Sequence, residues 1–302
     1  MSTQPSAISI DRLVRKYGRQ DAVNGLSLEV RPGCCYGFFG RNGAGKTTTI
    51  KCLLNLLQPT AGSVSVFGLD PARDEVAVKS RLAYVPDQVA FYSWMTVRET
   101  LDYLASFRAR WNRETEAELL GRFRLDPRKE VTSLSKGQRT QLALVAAVCP
   151  EPELLLLDEP TSGLDPIVRR EFIQTVIGAY QDSAPGQRTI FVSTHLISEF
   201  EGLIDEFTIL DQGKAVLTLE ADAAREQFQR IHARFPRALP ELEVPDAQVL
   251  RRDGRELELV VRGRAAPVLD WLKQHTPEAL TSEALSLEEI FVTALKTEGS
   301  AA

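Results

Sequence analysis

The sequence predicts an α/β protein whose main domain is built on a largely parallel sheet, followed by a smaller α+β region. Short apolar runs, such as Leu154–Leu157 and Thr189–Ser193, have the composition of strands that are buried on both faces. Helical patterns such as Pro166–Tyr180 separate these runs, and strands that alternate with helices usually pair in parallel. A glycine-rich loop also connects the apolar run Cys35–Phe39 to a helical pattern that begins at Lys46.

The N-terminal part contains patterns for short strands and one helix. Apolar and polar residues alternate from Ile8 to Leu13 and again over Leu26–Val30, as expected for half-buried strands. The segment Arg31–Gly33 carries the proline and glycine of a turn. The other predicted elements are a helix over Lys46–Leu57, closed by Pro59 and Gly62, and strands over Ser63–Phe67 and Leu82–Val85.

The middle of the chain is mainly helical in pattern. Apolar residues recur at helical spacing across Val97–Arg124, and a second helix is expected over Lys136–Cys149. Pro166 suits the first position of the next helix, because a backbone N–H there would have no helical partner. A further strand is predicted over Phe207–Leu210.

The pattern changes after about Leu219. Asp253-Gly254 joins two alternating runs, which is a strong signal for a β-hairpin. Helical patterns follow over Pro267–His275 and Ser286–Leu295. We therefore predict a main domain of residues 1–220 and an accessory α+β domain of residues 221–302.

The composition narrows the functional classes. Of the 302 residues, 43% are apolar and 25% are charged, as in soluble globular proteins. The net charge of −5 argues against a sequence-independent nucleic-acid binder, so no nucleic-acid partner is expected. Apolar runs such as Leu142–Cys149 are far shorter than the roughly eighteen residues that span a bilayer, so a membrane role requires a partner. The four cysteines form no CxxC pair, which favours buried thiols over a zinc site.

A complete phosphate-binding pattern, G-x-x-x-x-G-K-[ST], lies between a predicted strand and a predicted helix. It reads Gly40-Arg41-Asn42-Gly43-Ala44-Gly45-Lys46-Thr47. Its glycines allow backbone N–H groups to turn towards a β-phosphate, and the helix N-terminus adds its positive dipole end. In such a loop Lys46 would reach the β- and γ-phosphates, Thr47 would ligate Mg²⁺, and Thr48 would donate to the α-phosphate. An ordinary glycine-rich turn is the alternative, and its position between strand and helix argues against it.

Two carboxylates follow the apolar strand Leu154–Leu157. Asp158 can hold Mg²⁺ directly or through water, and Glu159 is then placed to polarise an attacking water. Such a base contributes roughly 10²–10⁴-fold in rate. Taken alone, this pair is more often a solvated strand end, but the phosphate-binding pattern upstream favours the catalytic interpretation.

Five further segments, with these two motifs, resemble the ATP-binding-cassette (ABC) ATPases. They are the signature-like Leu134-Ser135-Lys136-Gly137-Gln138, the D-loop-like Ser162-Gly163-Leu164-Asp165, the switch-like His195, Gln88 at the Q-loop position and Tyr17 at the A-loop position. The order and spacing match from about Ile8 to Leu219. The resemblance implies a P-loop cassette with a RecA-like mixed sheet core, an N-terminal antiparallel part and a helical subdomain over about residues 88–150.

Each of these segments also has a structural explanation when it is taken alone. Tyr17 could be an ordinary core or surface tyrosine, and His195 a hydrogen-bonded histidine. Ser135 and Asp165 both stand where a side chain could simply cap a helix. Gln88 carries little signal by itself. Their occurrence together and in order favours the ABC interpretation over these separate explanations.

The resemblance implies a set of ligands and partners. ATP and Mg²⁺ would bind at the P-loop, with Tyr17 against the adenine. Gln88 would be a metal ligand with Thr47 and Asp158, and Gln88 and His195 would take part in catalysis with Glu159. Ser135, Gly137, Gln138 and Asp165 would address the ATP of a second, head-to-tail subunit, most simply an identical one. An integral membrane permease would hold the ATPase at the cytoplasmic face of the membrane. Lys136 departs from the usual glycine of the signature, and this variant favours an exporter.

The loop Val89–Thr96 is unusually rich in large apolar residues for a surface loop. We expect Tyr92 and Trp94 to contribute to a groove for a cytoplasmic helix of the permease, with a fold back onto the helical subdomain as the alternative. A soluble ABC ATPase that acts on nucleic acid or ribosomes is the competing function. The acidic charge and the single cassette argue against it.

Overall fold

The computed structural model describes residues 5–181, 188–237, 244 and 247–299. The chain divides into two compact units, residues 1–218 and 219–302. Its strands are β1 Ile8–Tyr17, β2 Gln20–Val30, β3 Cys35–Gly40, β4 Ala61–Val66, β5 Leu82–Val85, β6 Leu154–Asp158, β7 Thr189–Thr194, β8 Glu206–Asp211, β9 Lys214–Glu220, β10 Phe228–Arg234, β11 Ala247–Asp253, β12 Glu256–Arg262 and β13 Ala279–Ala284. Its α-helices are α1 Lys46–Leu53, α2 Glu75–Arg81, α3 Val97–Ala105, α4 Arg113–Arg122, α5 Lys136–Val148, α6 Pro166–Gln181, α7 Ala221–Gln227, α8 Ala265–Gln274 and α9 Leu287–Gly299.

A six-stranded sheet in the order β5-β6-β7-β3-β8-β9 forms the centre of the first unit. The strands from β5 to β8 in this order pair in parallel. Every residue of β3, β6 and β7 is buried, in agreement with their continuous apolar sequences. Because parallel strands end at the same edge of a sheet, the loops after β3, β6 and β7 come together there.

A separate three-stranded antiparallel sheet, β2-β1-β4, packs against α1. Ile8 and Leu13 from this sheet share one core with Ile50 and Leu53 from α1 and with Phe38 from β3. The predicted α/β fold with a mixed sheet and an N-terminal antiparallel part is therefore confirmed.

Two predicted helices differ from the observed ones. The helix that begins at Lys46 ends at Leu53 and does not continue to Leu57. Asn55 has a φ of 57°, and a left-handed residue just after a helix cannot continue it. The helical pattern over residues 97–124 is divided into α3 and α4, because Asn112 accepts hydrogen bonds from the N–H groups of Glu114 and Thr115 and thereby starts a new helix.

The second unit contains a four-stranded antiparallel sheet in the order β11-β12-β10-β13. The predicted hairpin is confirmed: Asp253 pairs with Glu256, and Gly254 has a φ of 55° in the turn. One face of the sheet packs against α8, where Ile231, Leu259 and Leu272 are fully buried.

Three strands were not predicted: β9, β10 and β13. None of the residues of β9 and β13 is fully buried, and in β10 the buried Phe228 and Ile231 are three residues apart, so the alternation is weak in sequence. None of the helices in the described part of the chain has the length and apolar character needed to cross a bilayer.

A chain that ends at Glu220 tests the division between the two units. We expect it to unfold in one cooperative transition and to bind nucleotide as tightly as the full chain, because a chain that ends at Glu220 retains the whole six-stranded sheet and all the nucleotide motifs. Thermal unfolding and equilibrium nucleotide titration measure both properties. A truncated chain that is folded but does not bind nucleotide contradicts this division.

Candidate functional site

The phosphate-binding loop connects β3 to α1, and close approach of other backbone segments requires glycine at two of its positions. A Cβ on Gly45 would lie 2.4 Å from the carbonyl oxygen of Ala22, and Gly45 also has a φ of 109°. A Cβ on Gly40 would lie 2.7 Å from the carbonyl oxygen of Leu210. Both positions therefore exclude any larger residue, and Gly43 adds a third special conformation with a φ of 83°.

The remaining loop residues have distinct environments. Asn42 is exposed at the tip, whereas Ala44 is buried, and its carbonyl accepts a hydrogen bond of 3.0 Å from the N–H of Gly213. Thr47 and Thr48 lie half-buried in the first turn of α1. The loop is thus tied to the turn between β8 and β9 while its tip remains accessible.

Lys46 is buried and directs its ammonium group into the site. Its Nζ donates to the carbonyl oxygen of Gly40 at 2.7 Å and to that of Arg41 at 3.2 Å. The same Nζ lies 2.9 Å from Glu159 Oε1. The lysine therefore connects the P-loop to the residue that follows β6.

Asp158 ends β6 as a fully buried carboxylate. Ser193, which faces it in the register of β6 and β7, donates from Oγ to Asp158 Oδ1 at 3.0 Å. Burial raises the pKa of Asp158, and hydrogen bonds from Thr47 and Ser193 oppose that shift. Among the described residues Asp158 Oδ2 has no hydrogen-bond partner.

These groups fit Mg²⁺. Mg²⁺ prefers oxygen ligands and is usually held by one or two protein groups together with phosphate oxygens and water. The hydroxyl of Thr47 and the unpartnered Oδ2 of Asp158 provide such oxygens beside the P-loop. The described residues contain no cluster of three or more His, Cys, Asp or Glu that could hold a metal without a phosphate.

Glu159 is the centre of a second set of contacts. Its Oε2 lies 2.8 Å from His195 Nδ1 and accepts from Thr194 Oγ1 at 3.2 Å. Its φ is 46°, a conformation that non-glycine residues seldom adopt, and its N–H donates to the carbonyl oxygen of Ser193 at 2.7 Å. The backbone at this position thus directs the carboxylate between Lys46 and His195.

The signature-like segment forms the N-terminus of α5. Ser135 caps the helix: its Oγ accepts from the N–H of Gln138 at 3.2 Å, and Gln138 Oε1 accepts from the N–H of Ser135 at 3.1 Å. A Cβ on Gly137 would lie 3.2 Å from Val168 of α6, so the glycine allows α5 and α6 to approach closely. The Ser135 hydroxyl proton can still be donated outwards, because Oγ uses only a lone pair in the cap.

The other predicted site residues lie apart from this centre. Asp165 caps α6, accepting from the N–H groups of Ile167 and Val168 at 3.0 and 3.1 Å. Tyr17 is exposed at the end of β1, with the Arg15 guanidinium 5.0 Å from its ring centre. Gln88 is exposed and lines a cavity with Lys136.

The structure therefore brings together only part of the predicted site. Lys46 and His195 both contact Glu159, and Thr47 contacts the adjacent Asp158. Among the described residues, no hydrogen bond or ion pair links Gln88 to the carboxylates, or the signature to the P-loop.

Sequence reasoning missed the hydroxyl groups of Ser193 and Thr194 as partners of the two carboxylates. A signal was present: β7 is an apolar strand that ends in hydroxyl residues, next to a strand that ends in carboxylates. The neighbouring parallel register brings Asp158 and Ser193 side by side, but register is not readable from one strand at a time.

The fold and the site define a P-loop nucleotide-binding protein, because the glycine-rich loop, its lysine and the strand-end carboxylates occupy their expected positions around one edge of a parallel sheet. A family profile described as "ABC transporter" matches residues 23–162. A second profile, described as "AAA domain, putative AbiEii toxin, Type IV TA system", matches residues 130–200.

Named relatives agree with the first profile. The chain is 35% identical over 220 residues to the bacitracin transport ATP-binding protein of Bacillus licheniformis. The matched region covers 72% of this chain and 71% of that protein. It is 35% identical over 227 residues to a daunorubicin resistance ATP-binding protein of Streptomyces coeruleorubidus, covering 74% and 71%. It is 36% identical over 225 residues to a Nod factor export ATP-binding protein of Burkholderia orbicola, covering 72% and 71%.

Solved structures give the same result for the fold. An ATP-binding subunit of an ABC transporter superposes with a TM-score of 0.66 at 29% identity, covering 74% of this chain and 93% of that chain. A dimeric bacterial ABC transporter cassette superposes with a TM-score of 0.62 at 21% identity, covering 71% and 98%. The chain belongs to the ATP-binding subunits of ABC transporters, which are ATPases.

The substitution Asp158→Asn tests the electrostatic cost of this site. Burial raises the pKa of Asp158, so ionising it costs the folded chain more than the unfolded one. The amide removes that cost, and we expect the variant to be more stable than the wild type at pH 7. Urea unfolding measures the difference.

The sign of the pH dependence follows from the raised pKa. The stability advantage of Asp158→Asn should grow as the pH rises above the ordinary aspartate value of about 3.9, where the unfolded wild-type chain ionises first. Asp11→Asn, at an exposed position on β1, serves as the control and should change stability little. A variant that is less stable than wild type at pH 7 contradicts this account of Asp158.

Proposed function

We propose that this chain is the motor subunit of a membrane exporter, hydrolysing Mg²⁺-ATP at the P-loop in a head-to-tail dimer. The observation that carries the proposal is the placement of Glu159, which lies 2.9 Å from Lys46 and 2.8 Å from His195 beside the buried Asp158. This arrangement contains a phosphate-binding cation, a metal-binding carboxylate and a base at one edge of the sheet. The family membership supports it.

The P-loop residues would bind the phosphates of ATP. Backbone N–H groups of the loop, at Gly43, Ala44 and Gly45, would surround the β-phosphate, and the N-terminus of α1 favours negative charge there. Lys46 Nζ would transfer from the carbonyl oxygens of the loop to the β- and γ-phosphate oxygens. Asn42 and Thr48 would complete the contacts at the tip of the loop and at the α-phosphate.

Thr47 and Asp158 would hold Mg²⁺, which supplies positive charge to the β- and γ-phosphate oxygens when it is bound. Glu159 would act as the base. Its carboxylate accepts a proton from water as the water oxygen bonds to the γ-phosphorus and the bond to the bridging β–γ oxygen breaks. The products are ADP and inorganic phosphate.

His195 and Thr194 would orient Glu159, since both contact its Oε2 and leave Oε1 towards Lys46. When Lys46 moves to the phosphates, Oε1 becomes available to a water. The same cluster thus responds to nucleotide through an exchange of ion-pair partners. Gln88 would sense the γ-phosphate from the neighbouring loop after β5.

A second subunit would complete the site. The signature residues Ser135, Gly137 and Gln138 have no hydrogen bond to the P-loop within the described chain, yet they present a capped helix N-terminus with a free hydroxyl proton. Such a helix end suits the γ-phosphate of a partner's ATP. Asp165 at the N-terminus of α6 would meet the partner beside it, and Tyr17 would stack on the adenine of its own subunit.

A groove on the first unit would receive the permease. It has a volume of about 630 Å³ and is lined by apolar residues that include Leu54, Phe91, Leu104 and Phe107. This suits an amphipathic helix that places apolar anchors in a groove. The relatives named for transport, resistance and export support an exporter.

Tyr92 and Trp94, which we expect to contribute to permease docking, do not line this cavity. They are exposed, and an aromatic series continues from Trp94 through Tyr92 and Tyr103 to Phe107 at the groove, with ring centres 4.9, 5.5 and 5.0 Å apart. The neighbouring Phe91 lines the groove itself. The aromatic series therefore borders the docking surface.

Tyr84 would connect the groove to the nucleotide site. It lines the groove from β5, next to the strand that ends in Asp158. Burial and then the charge of Asp158 raise the pKa of Tyr84, so its hydroxyl stays protonated near that carboxylate. One side chain thus lies between the two sites.

The permease would hold the chain at the cytoplasmic face of the cell membrane. Residues 221–302 would form an accessory domain with a regulatory or dimer-supporting role. A soluble ATPase that acts on nucleic acid or ribosomes is disfavoured, since the named relatives are transporter subunits.

The substitution Glu159→Gln tests the base. The amide cannot accept the proton of water, so we expect ATP binding to persist, turnover to fall by roughly 10²–10⁴-fold, and ATP-dependent dimers to accumulate. Steady-state hydrolysis, nucleotide titration and sedimentation measure these. Glu153→Gln is the matched control, because Glu153 stands at the opposite end of β6 in a surface ion pair with Arg81. Unchanged hydrolysis in Glu159→Gln would remove this residue from the base role.

The substitution Phe107→Glu tests the groove. A charge at the groove should prevent docking of an apolar helix. The ATPase rate of the isolated subunit should stay the same, because the Phe107 side chain is exposed and does not belong to the core. Copurification of the permease from membranes and the soluble ATPase rate are the two measurements. Val292→Glu, at an exposed apolar residue of α9, is the control. If permease copurification and the ATPase rate fall equally, or if neither falls, the result argues against the groove.

A further inference from the structure

Lys136 stands where its charge is unfavourable. It is the first residue of α5, and a helix N-terminus carries partial positive charge that disfavours a cation. The first turn of α5 contains no acidic residue that could offset it. The ammonium group of this exposed lysine therefore has no carboxylate partner in the first turn of its own helix.

The partner is a backbone carbonyl of the turn that follows β6. Lys136 Nζ donates to the carbonyl oxygen of Ser162 at 2.7 Å. A Cβ on the next residue, Gly163, would lie 2.9 Å from Nζ, and Gly163 has a φ of 69°. The glycine therefore leaves room for the lysine, and the two residues fit each other.

Apolar packing holds the same two segments together. A Cβ on Gly137 would lie 3.2 Å from Val168 and 3.8 Å from Leu164, so the first turn of α5 rests directly on the turn and on α6. Leu164 is buried. Because Gly137 has no side chain, α5 and the turn can approach closely. The hydrogen bond of Lys136 then holds these two segments together.

A second cation acts on the other side of the turn. Arg169 Nη2 donates to the carbonyl oxygen of Leu164 at 3.1 Å, and its Nη1 pairs with Glu199 at 2.7 Å. Two carbonyl groups of the turn are thus held by cations from different helices. Replacing Arg169 would leave its carboxylate partner without a cation. Lys136 is exposed and has no carboxylate partner among the residues that the structure describes, so its replacement leaves no buried charge.

We propose that Lys136 is a positioning residue that fixes the turn Ser162–Asp165 to the signature helix, so that both move as one body towards the partner subunit. This rests on the proposed head-to-tail dimer, in which both segments address the partner's ATP. Lys136 acts through the turn, because the Ser162 carbonyl is the hydrogen-bond partner that its Nζ has among the described residues. Its side chain also lines a cavity of about 180 Å³ with Gln88, which places it beside the predicted γ-phosphate sensor.

Amide hydrogen exchange of the full-length chain without added nucleotide tests the contact itself. The N–H of Leu164 bonds to the carbonyl oxygen of Thr161 at 3.1 Å and reports on opening of the turn. Lys136→Met should speed exchange in the segment 160–166 by about fivefold, the change expected when one hydrogen bond is lost from a local opening equilibrium. Lys136→Arg retains a donor and should restore most of the protection.

Lys129→Met is the matched control. Lys129 is an exposed lysine in the same subdomain, and its side chain has no hydrogen bond or ion pair in the described part of the chain. The control removes the same charge and should leave exchange in the segment 160–166 unchanged. Equal exchange in Lys136→Met and wild type overturns the proposal, and so does an equal increase in the control.

Hydrolysis kinetics test the consequence for the reaction. Lys136→Met should lower kcat by about fivefold with little change in KM, the pattern of a group that acts on the assembled transition state and not on ATP binding. Lys136→Arg should recover most of kcat. A raised KM with unchanged kcat would show that Lys136 contacts the nucleotide and would overturn the positioning role. Absence of ATPase activity in the wild-type chain would contradict the proposed function alone, because the exchange result does not depend on turnover.

Discussion

The arrangement of the site depends on the parallel pairing of β6, β7 and β3. Parallel strands end at one edge of the sheet. The P-loop after β3, the carboxylates after β6 and the histidine after β7 therefore lie together although they are far apart in the sequence. The ion pair between Lys46 and Glu159 joins the outer two of these loops across the strand between them. A shift of one register position would turn Asp158 away from Ser193 and disperse the cluster.

Burial gives this cluster its chemical properties and also its cost. Asp158 is fully buried with one oxygen unpartnered, and a buried polar atom without a partner is expensive in a folded protein. Glu159 adds an unusual backbone conformation at the same place. Costs of this kind concentrate at functional sites, where the surrounding sheet holds the groups in position and a ligand relieves the cost.

In the proposed head-to-tail dimer, each nucleotide site would combine two different surfaces, one from each subunit. The P-loop and the strand-end carboxylates form one surface, whereas the capped N-terminus of α5 and the turn after β6 form another. Three local contacts hold the second surface together: the Ser135–Gln138 capping box, the cap of α6 by Asp165, and the contact between Lys136 and the Ser162 carbonyl. A surface fixed in this way would suit the proposed reaction, in which two subunits close on ATP.

The sequence by itself determined the features whose physics is local. The P-loop glycines, the caps at Ser135 and Asp165, and the buried strands are each encoded in a few consecutive residues, so their positions were predictable. The tertiary structure decided what depends on pairing between distant segments: the Lys46–Glu159–His195 contacts, the hydroxyl groups of Ser193 and Thr194, the destination of Lys136, and the weakly patterned strands β9, β10 and β13. The reason is physical. Helix caps and glycine conformations are determined by neighbouring residues, whereas strand register and the partner of a long side chain are set by packing across the whole sheet.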